Sequence, residues 1–158
     1  MSTATPATRF LTQSKTAFVT VEYDYSPGAE RLGLQAADAI GMPPSMVLKT
    51  LMVEVAGKPA CVVIPSDETL SMKKVAAAFG AKSATMMPPV TAERLTGFHT
   101  GGISPFGQKK RIPTAFETES IGDFEIAING GKRGLMLRLN GLAAVSALGA
   151  TTANLTAD

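Results

Sequence analysis

Residues 47–65 read VLKTLMVEVAGKPACVVIP, and their pattern decides the kind of sheet this chain builds. Residues 47–55 are apolar and β-branched apart from Lys49, Thr50 and Glu54; residues 60–65 are apolar almost throughout; AGKP at 56–59 is a turn. Strands joined by so short a connection pair antiparallel, because a parallel neighbour needs a crossover of about a dozen residues or more. A central antiparallel hairpin is therefore expected.

Upstream, MPPSM at 42–46 reads as a turn or short helix. Before it, LGLQAADAIG at 32–41 carries Leu34, Ala37 and Ile40 at helical spacing and stops on Gly41. SPGAER breaks the pattern, AFVTVEY at 17–23 reads as a strand, and 5–14 reads as a helix with Thr5 as N-cap and Pro6 in its first turn. Downstream, DETLSMKKVAAAFG at 67–80 is the clearest helix: Thr69 or Ser71 can cap it, Met72, Val75, Ala76 and Phe79 form one stripe, and Gly80 closes it. AKSATMM follows as a strand and PPVTAERLTG as a short helix, before a loop over 99–110 rich in glycine and proline. Loops of that length inside compact domains tend to be functional. FEIAI, the turn NGGKRG and LMLRL make a second hairpin; 140–150 is a last helix, and the tail TTANLTAD is expected to fray. Hairpins flanked by helices predict an α+β fold with a mixed, mostly antiparallel sheet, in one domain over 1–158.

At 158 residues the chain can hold one proper core. Hydrophobic residues make up 45%, yet no apolar run nears the roughly 20 that a membrane helix needs, so no membrane association is expected. The start MSTATPATRFLTQSK has no apolar stretch of signal-peptide length, and the single cysteine excludes an internal disulfide; a reducing cytoplasm is the expected setting. Cys61, inside PACVVIP, reads as a small core residue rather than a nucleophile. One histidine and one cysteine supply too few ligands for transition-metal chemistry, so neither a metal nor another cofactor is expected. The net charge of +2 does not mark the whole chain as a nucleic-acid binder, but Lys73-Lys74, Lys109-Lys110-Arg111 and Lys132-Arg133 would bind a polyanion if they converged on one face.

Three features can carry chemistry. Lys49 interrupts an apolar strand and shares its face with Leu51, so its ammonium either reaches solvent or anchors an anionic or ribose oxygen in a pocket. GFHTGGISP at 97–105 reads as a plain turn, as a nucleophile site of Ser104 with His99, or as a backbone cradle in which glycine amides stabilise a carbonyl oxygen. The nucleophile reading lacks an identifiable acid. NGGKRG at 129–134 is accounted for as a hairpin turn, with Lys132 and Arg133 placed to touch phosphate.

Taken together, TPA near the start, GMPPSMVLKTL from Gly41, SMKKVAAAFGAK, TGFHTGGISPFGQKKRIPT from Thr96 and NGGKRGL from Asn129 resemble, in order and spacing, the YbaK/EbsC-like aminoacyl-tRNA deacylases, relatives of the editing domain of bacterial prolyl-tRNA synthetase. The resemblance runs over about 5–148. It implies a single domain around a partly barrel-like sheet with surrounding helices, acting in trans on the 3′ acceptor end of mischarged tRNA, Cys-tRNA(Pro) or another small amino acid on tRNA(Pro), with prolyl-tRNA synthetase as a possible partner.

By the same resemblance Lys49 orients the terminal adenosine or its phosphate, with Thr50 beside it. Gly101, Gly102, Ile103, Ser104 and Pro105 form the loop that binds the aminoacyl carbonyl. Tyr23, Leu32, Asn129, Gly130, Gly131, Lys132 and Met136 complete the substrate surface. An ester is already activated, so a held water, the ribose hydroxyl or the thiol of an attached cysteine can attack it, the last giving lyase-like chemistry. Three positions depart from the cysteine-specific type and bear on which amino acid is removed: Leu32 replaces an aromatic residue, Asn129 a serine and Met136 an aspartate. A tRNA- or synthetase-binding module without turnover is the alternative, and a small-molecule-binding regulator a third reading.

Overall fold

The computed structural model describes residues 3–25 and 32–158, the side chains of 32 and 33 excepted. In chain order it contains α1 (Pro6–Gln13), β1 (Val19–Glu22), α2 (Leu32–Ile40), β2 (Leu48–Val55), β3 (Lys58–Pro65), α3 (Met72–Ala78), β4 (Ala84–Met86), α4 (Pro89–Thr96), β5 (Thr114–Glu117), β6 (Glu125–Asn129), β7 (Leu135–Asn140), α5 (Gly141–Leu148) and β8 (Thr151–Ala153), with single 3₁₀ turns at Pro44–Met46 and Thr118–Ser120.

The central hairpin pairs from Leu48 opposite Pro65 to Val55 opposite Lys58. Its two turn residues, Ala56 and Gly57, both have positive φ, the combination that matches the twist of the flanking strands. Strand alternation gives the hairpin two buried faces. Leu48, Met52, Cys61 and Val63 enter the main core with Phe106 and Phe116, while Val53, Val55, Val62 and Ile64 enter a second core under α3 with Val75 and Leu155. The five-stranded sheet has the order β4-β2-β3-β5-β8, and an antiparallel three-stranded sheet has the order β1-β7-β6. A single parallel bridge between Val47 and Ala127 joins the two. The sheets thus meet along one side of β2, in the partly barrel-like manner expected.

Helix ends follow the local chemistry read from the sequence. Thr5 and Thr8 cap each other's backbone at the start of α1; Ser71 caps α3 by accepting from the Lys74 amide; Gly97 closes α4 in the left-handed region.

Two sequence expectations need correction. Strand β5 was not expected, since TAFE is short and lies directly after a long irregular segment; it pairs parallel to both β3 and β8. The tail does not fray. Leu155 is fully buried, and Glu117 Oε1 accepts hydrogen bonds from the Leu155 and Thr156 amides and from the Thr156 hydroxyl. A buried carboxylate that gathers three donors holds the tail down. Leu155→Ala is expected to lower unfolding free energy by about 2–4 kcal/mol, measured by urea titration.

Candidate active site

The site begins as a gap beside β2. Strand β4 pairs with β2 only at Val53–Val55, continued by a Met87 amide bond to the Met52 carbonyl at 3.1 Å, and the bridge to β6 lies at Val47. Between these points no strand covers that side of β2 among the described residues. Backbone groups alternate along an antiparallel ladder, so the peptide groups of Thr50, two residues before Met52, face the same open side.

A cavity of about 360 Å³ fills this gap. It is lined by Tyr23, Lys49, Thr50, Gly101, Ile103, Asn129 and Met136 of the expected residues, and also by Ser66, Thr100, Met52, Met86 and Met87. Lys49 is the one charged side chain among the described residues that line it. Thr50 Oγ1 is buried there with no hydrogen-bond partner among the described residues. An orphaned buried hydroxyl costs roughly 1–3 kcal/mol, and in a cavity wall it is a place for a polar ligand atom. Burial raises the Tyr23 pKa, against a backbone hydrogen bond at Gly134 that lowers it, so the phenol stays protonated.

The glycine loop is held at its N-terminal end by several partners. The Arg133 guanidinium Nε donates to the Thr100 carbonyl at 2.8 Å and its charge lies over the Tyr25 ring. The Thr100 amide donates to Glu93 Oε2 at 2.7 Å, and that bond is the main cause holding the Glu93 pKa below its ordinary value. Asn129 Nδ2 donates to the Gly101 carbonyl at 3.3 Å. Gly101 has φ +89, a conformation that disfavours any side chain.

Gly102 is glycine for a different reason. A Cβ there would lie 2.8 Å from the Arg133 nitrogen and the Lys132 carbonyl carbon. The two glycine-rich segments therefore pack backbone against backbone, and Asn129 Oδ1, accepting from the Gly131 amide at 2.7 Å, shapes the second of them. Thr5 adds an anchor from α1, donating from its hydroxyl to the Gly130 carbonyl at 2.6 Å.

The expected donor pair shifts by one residue. The Gly102 amide is consumed in a turn to the His99 carbonyl at 2.8 Å, whereas the Gly101 and Ile103 amides have no partner among the described residues and both residues line the cavity. Gly102, Ser104, Pro105, Gly130, Gly131 and Lys132 lie outside the lining and shape or flank it. Leu32 begins α2, but its side chain lies outside the described residues.

Ser104 is fully buried, and its Oγ accepts from the Phe106 amide at 3.2 Å. His99 is exposed and its near neighbour is Glu93 at 3.8 Å. The two form no nucleophile pair. Cys61 is likewise sealed: burial pushes its thiol up to about 12, and thiol reagents are expected to label it only after the protein is unfolded.

Two of the three basic clusters flank the loop. Lys132 and Arg133 touch it directly, and the Lys109 and Lys110 amides bond to Thr96 and Leu95 at the end of α4. Lys74 is instead engaged by the tail, at the Thr156 carbonyl and the Asp158 carboxylate. Sequence reasoning missed Ser66, Thr100 and the methionines of the wall. Thr100 adjoins the glycine loop, but methionine and serine carry no positional signal.

The sequence profile of the aminoacyl-tRNA editing domain matches residues 30–147. A protein of Enterococcus faecalis, provisionally named Cys-tRNA(Pro)/Cys-tRNA(Cys) deacylase EbsC, is 34% identical over 138 residues, 85% of this chain and 82% of its own. A proline–tRNA ligase of Acidithiobacillus ferrooxidans is 28% identical over 61% of this chain, which corresponds to 17% of that longer enzyme. Among solved structures, one described provisionally as a trans-editing enzyme for prolyl-tRNA synthetase superposes with a TM-score of 0.83 at 22% identity, over 98% of this chain and 99% of the other.

Proposed function

The chain belongs to the aminoacyl-tRNA editing domain family, and from that premise we propose that it is a trans-acting deacylase that hydrolyses the ester of mischarged tRNA, Cys-tRNA(Pro) or another small amino acid on tRNA(Pro). The observation that carries the proposal is that Gly101 and Ile103, whose amides have no partner among the described residues, line one cavity with Lys49.

In this reading the ester carbonyl lies against the two amides, which take up the negative charge that its oxygen gains on attack. Losing one oxyanion donor costs about 2.7–4 kcal/mol of transition-state stabilisation where a side-chain donor has been removed. Lys49 orients the terminal adenosine or its phosphate, and Thr50 supplies a hydroxyl to the ribose or aminoacyl group. Water, which the neighbouring ribose hydroxyl can orient, attacks the carbonyl, the ester C–O bond breaks, and the proton that the water gives up passes to the departing ribose oxygen. On a cysteinyl ester the amino acid's own thiol can attack instead and give its proton to the ribose oxygen, and the amino acid leaves as a cyclic thioester. Holding the ester in attack geometry is worth about 7–11 kcal/mol in favourable systems, so no side-chain nucleophile is required.

A cavity of about 360 Å³ has room for a small aminoacyl group together with the terminal nucleoside, so the rest of the acceptor end lies outside, towards Lys132, Arg133, Lys109 and Lys110. Such proofreading answers a real deficit, since a synthetase pocket separates side chains differing by one methylene by only about 1–3 kcal/mol. The whole chain acts as one editing domain in the cytoplasm, with prolyl-tRNA synthetase as the candidate partner that hands over substrate.

The test is a deacylation panel of Cys-, Ala-, Ser- and Pro-charged tRNA(Pro), run at two salt concentrations. At least one mischarged tRNA is expected to lose its amino acid faster than Pro-tRNA(Pro), with binding weakening steeply as salt rises. Salt-sensitive binding without hydrolysis of any of them would instead identify a tRNA-binding module.

A further inference from the structure

We propose that Gln108 is a positioning residue for the glycine loop, fixing the end of the loop that carries the Ile103 amide; the inference rests on the deacylase reading above. Gln108 lies outside the cavity lining. Its side-chain nitrogen is 3.0 Å from the Ser104 carbonyl, 3.5 Å from Met52 Sδ and 3.8 Å from Cys61 Sγ. A backbone carbonyl can only accept, so the amide nitrogen and not its oxygen faces Ser104, and the two sulfurs accept weakly.

These contacts tie together parts that the chemistry requires in register. Met52 lines the cavity two residues after Thr50, and Ser104 directly follows Ile103. The loop therefore has two independent anchors: Arg133 and Asn129 hold Thr100 and Gly101, while Gln108 holds Ser104. Ile103 lies between them. Releasing the second anchor frees the Ile103 amide and leaves the first intact, so ester activation suffers more than tRNA binding.

Gln108→Met keeps the length and the packing against Met52 and Cys61 but cannot donate to Ser104. Its kcat for deacylation is expected to fall about tenfold, with KM for charged tRNA within about twofold of wild type. Backbone ¹⁵N order parameters of the substrate-free protein are expected to drop at Ile103 and Ser104 and nowhere else. Cys61→Ala, which removes one sulfur contact and leaves the Ser104 bond, is expected to keep both kcat and loop order. Gln108→Asn, whose amide falls one methylene short, provides the same readings should the first variant not fold.

Unchanged order parameters at Ile103 and Ser104 overturn the proposal whatever the activity. So does a kcat that holds while wild type is active, or a loss shared equally by kcat, KM and Tm. A wild type without deacylase activity would sink the functional reading alone, because the order parameters are measured without substrate.

Discussion

Replacing Lys49 with methionine is expected to lower the deacylation rate about 100-fold while changing unfolding free energy by less than about 1 kcal/mol. The contrast follows from where the residue sits. Lys49 lies opposite Ile64 on β2, on the face it shares with Leu51, and only its ammonium brings charge into a cavity wall otherwise built from uncharged groups among the described residues. Methionine preserves the apolar stem and removes the charge, so a loss of rate without a loss of stability reports on the chemistry. Single-turnover rates together with urea unfolding separate the two.

Gly102→Val is expected to fail in both respects. The new Cβ would meet the Lys132 and Arg133 backbone at 2.8 Å, where nothing can rotate away, and the two glycine segments would have to separate. Overpacking of this kind costs about 1–3 kcal/mol, and a displacement near 1 Å at a reacting group costs about 100-fold in rate. Gly80→Ala is the matched comparison. Gly80 has a positive φ, +70, which Gly102 does not, but open space surrounds it, so the substitution is expected to cost roughly 1–2 kcal/mol and leave deacylation intact. Equal activity losses at Gly80 and Gly102 would contradict the packing argument.

The hairpin at the centre of the fold was legible because alternation and turn chemistry agree over 47–65, and the caps of α1, α3 and α4 were legible because each uses a side chain or glycine suited to that end. Strand β5 and the docked tail were not, because both depend on partners far away in sequence: β5 on β3 and β8, the tail on the buried Glu117 carboxylate. The same division runs through the site. Lys49 stands out as a charge in an apolar strand and the paired glycines as a conformational signal. Which amide is spent in a turn and which stays open depends on the turn at His99, and the burial of Ser104 depends on packing that no short motif encodes.

The central claim is that an open pair of loop amides and one lysine suffice to hydrolyse an aminoacyl ester. It is tested most directly by single-turnover release of amino acid from Cys-, Ala- and Ser-charged tRNA(Pro), with enzyme in excess, against the uncatalysed rate. The account predicts release far above that rate for at least one of the three by wild type, and a rate about 100-fold lower for Lys49→Met. Wild type that binds all three and releases none faster than buffer, or Lys49→Met that matches wild type, would contradict it.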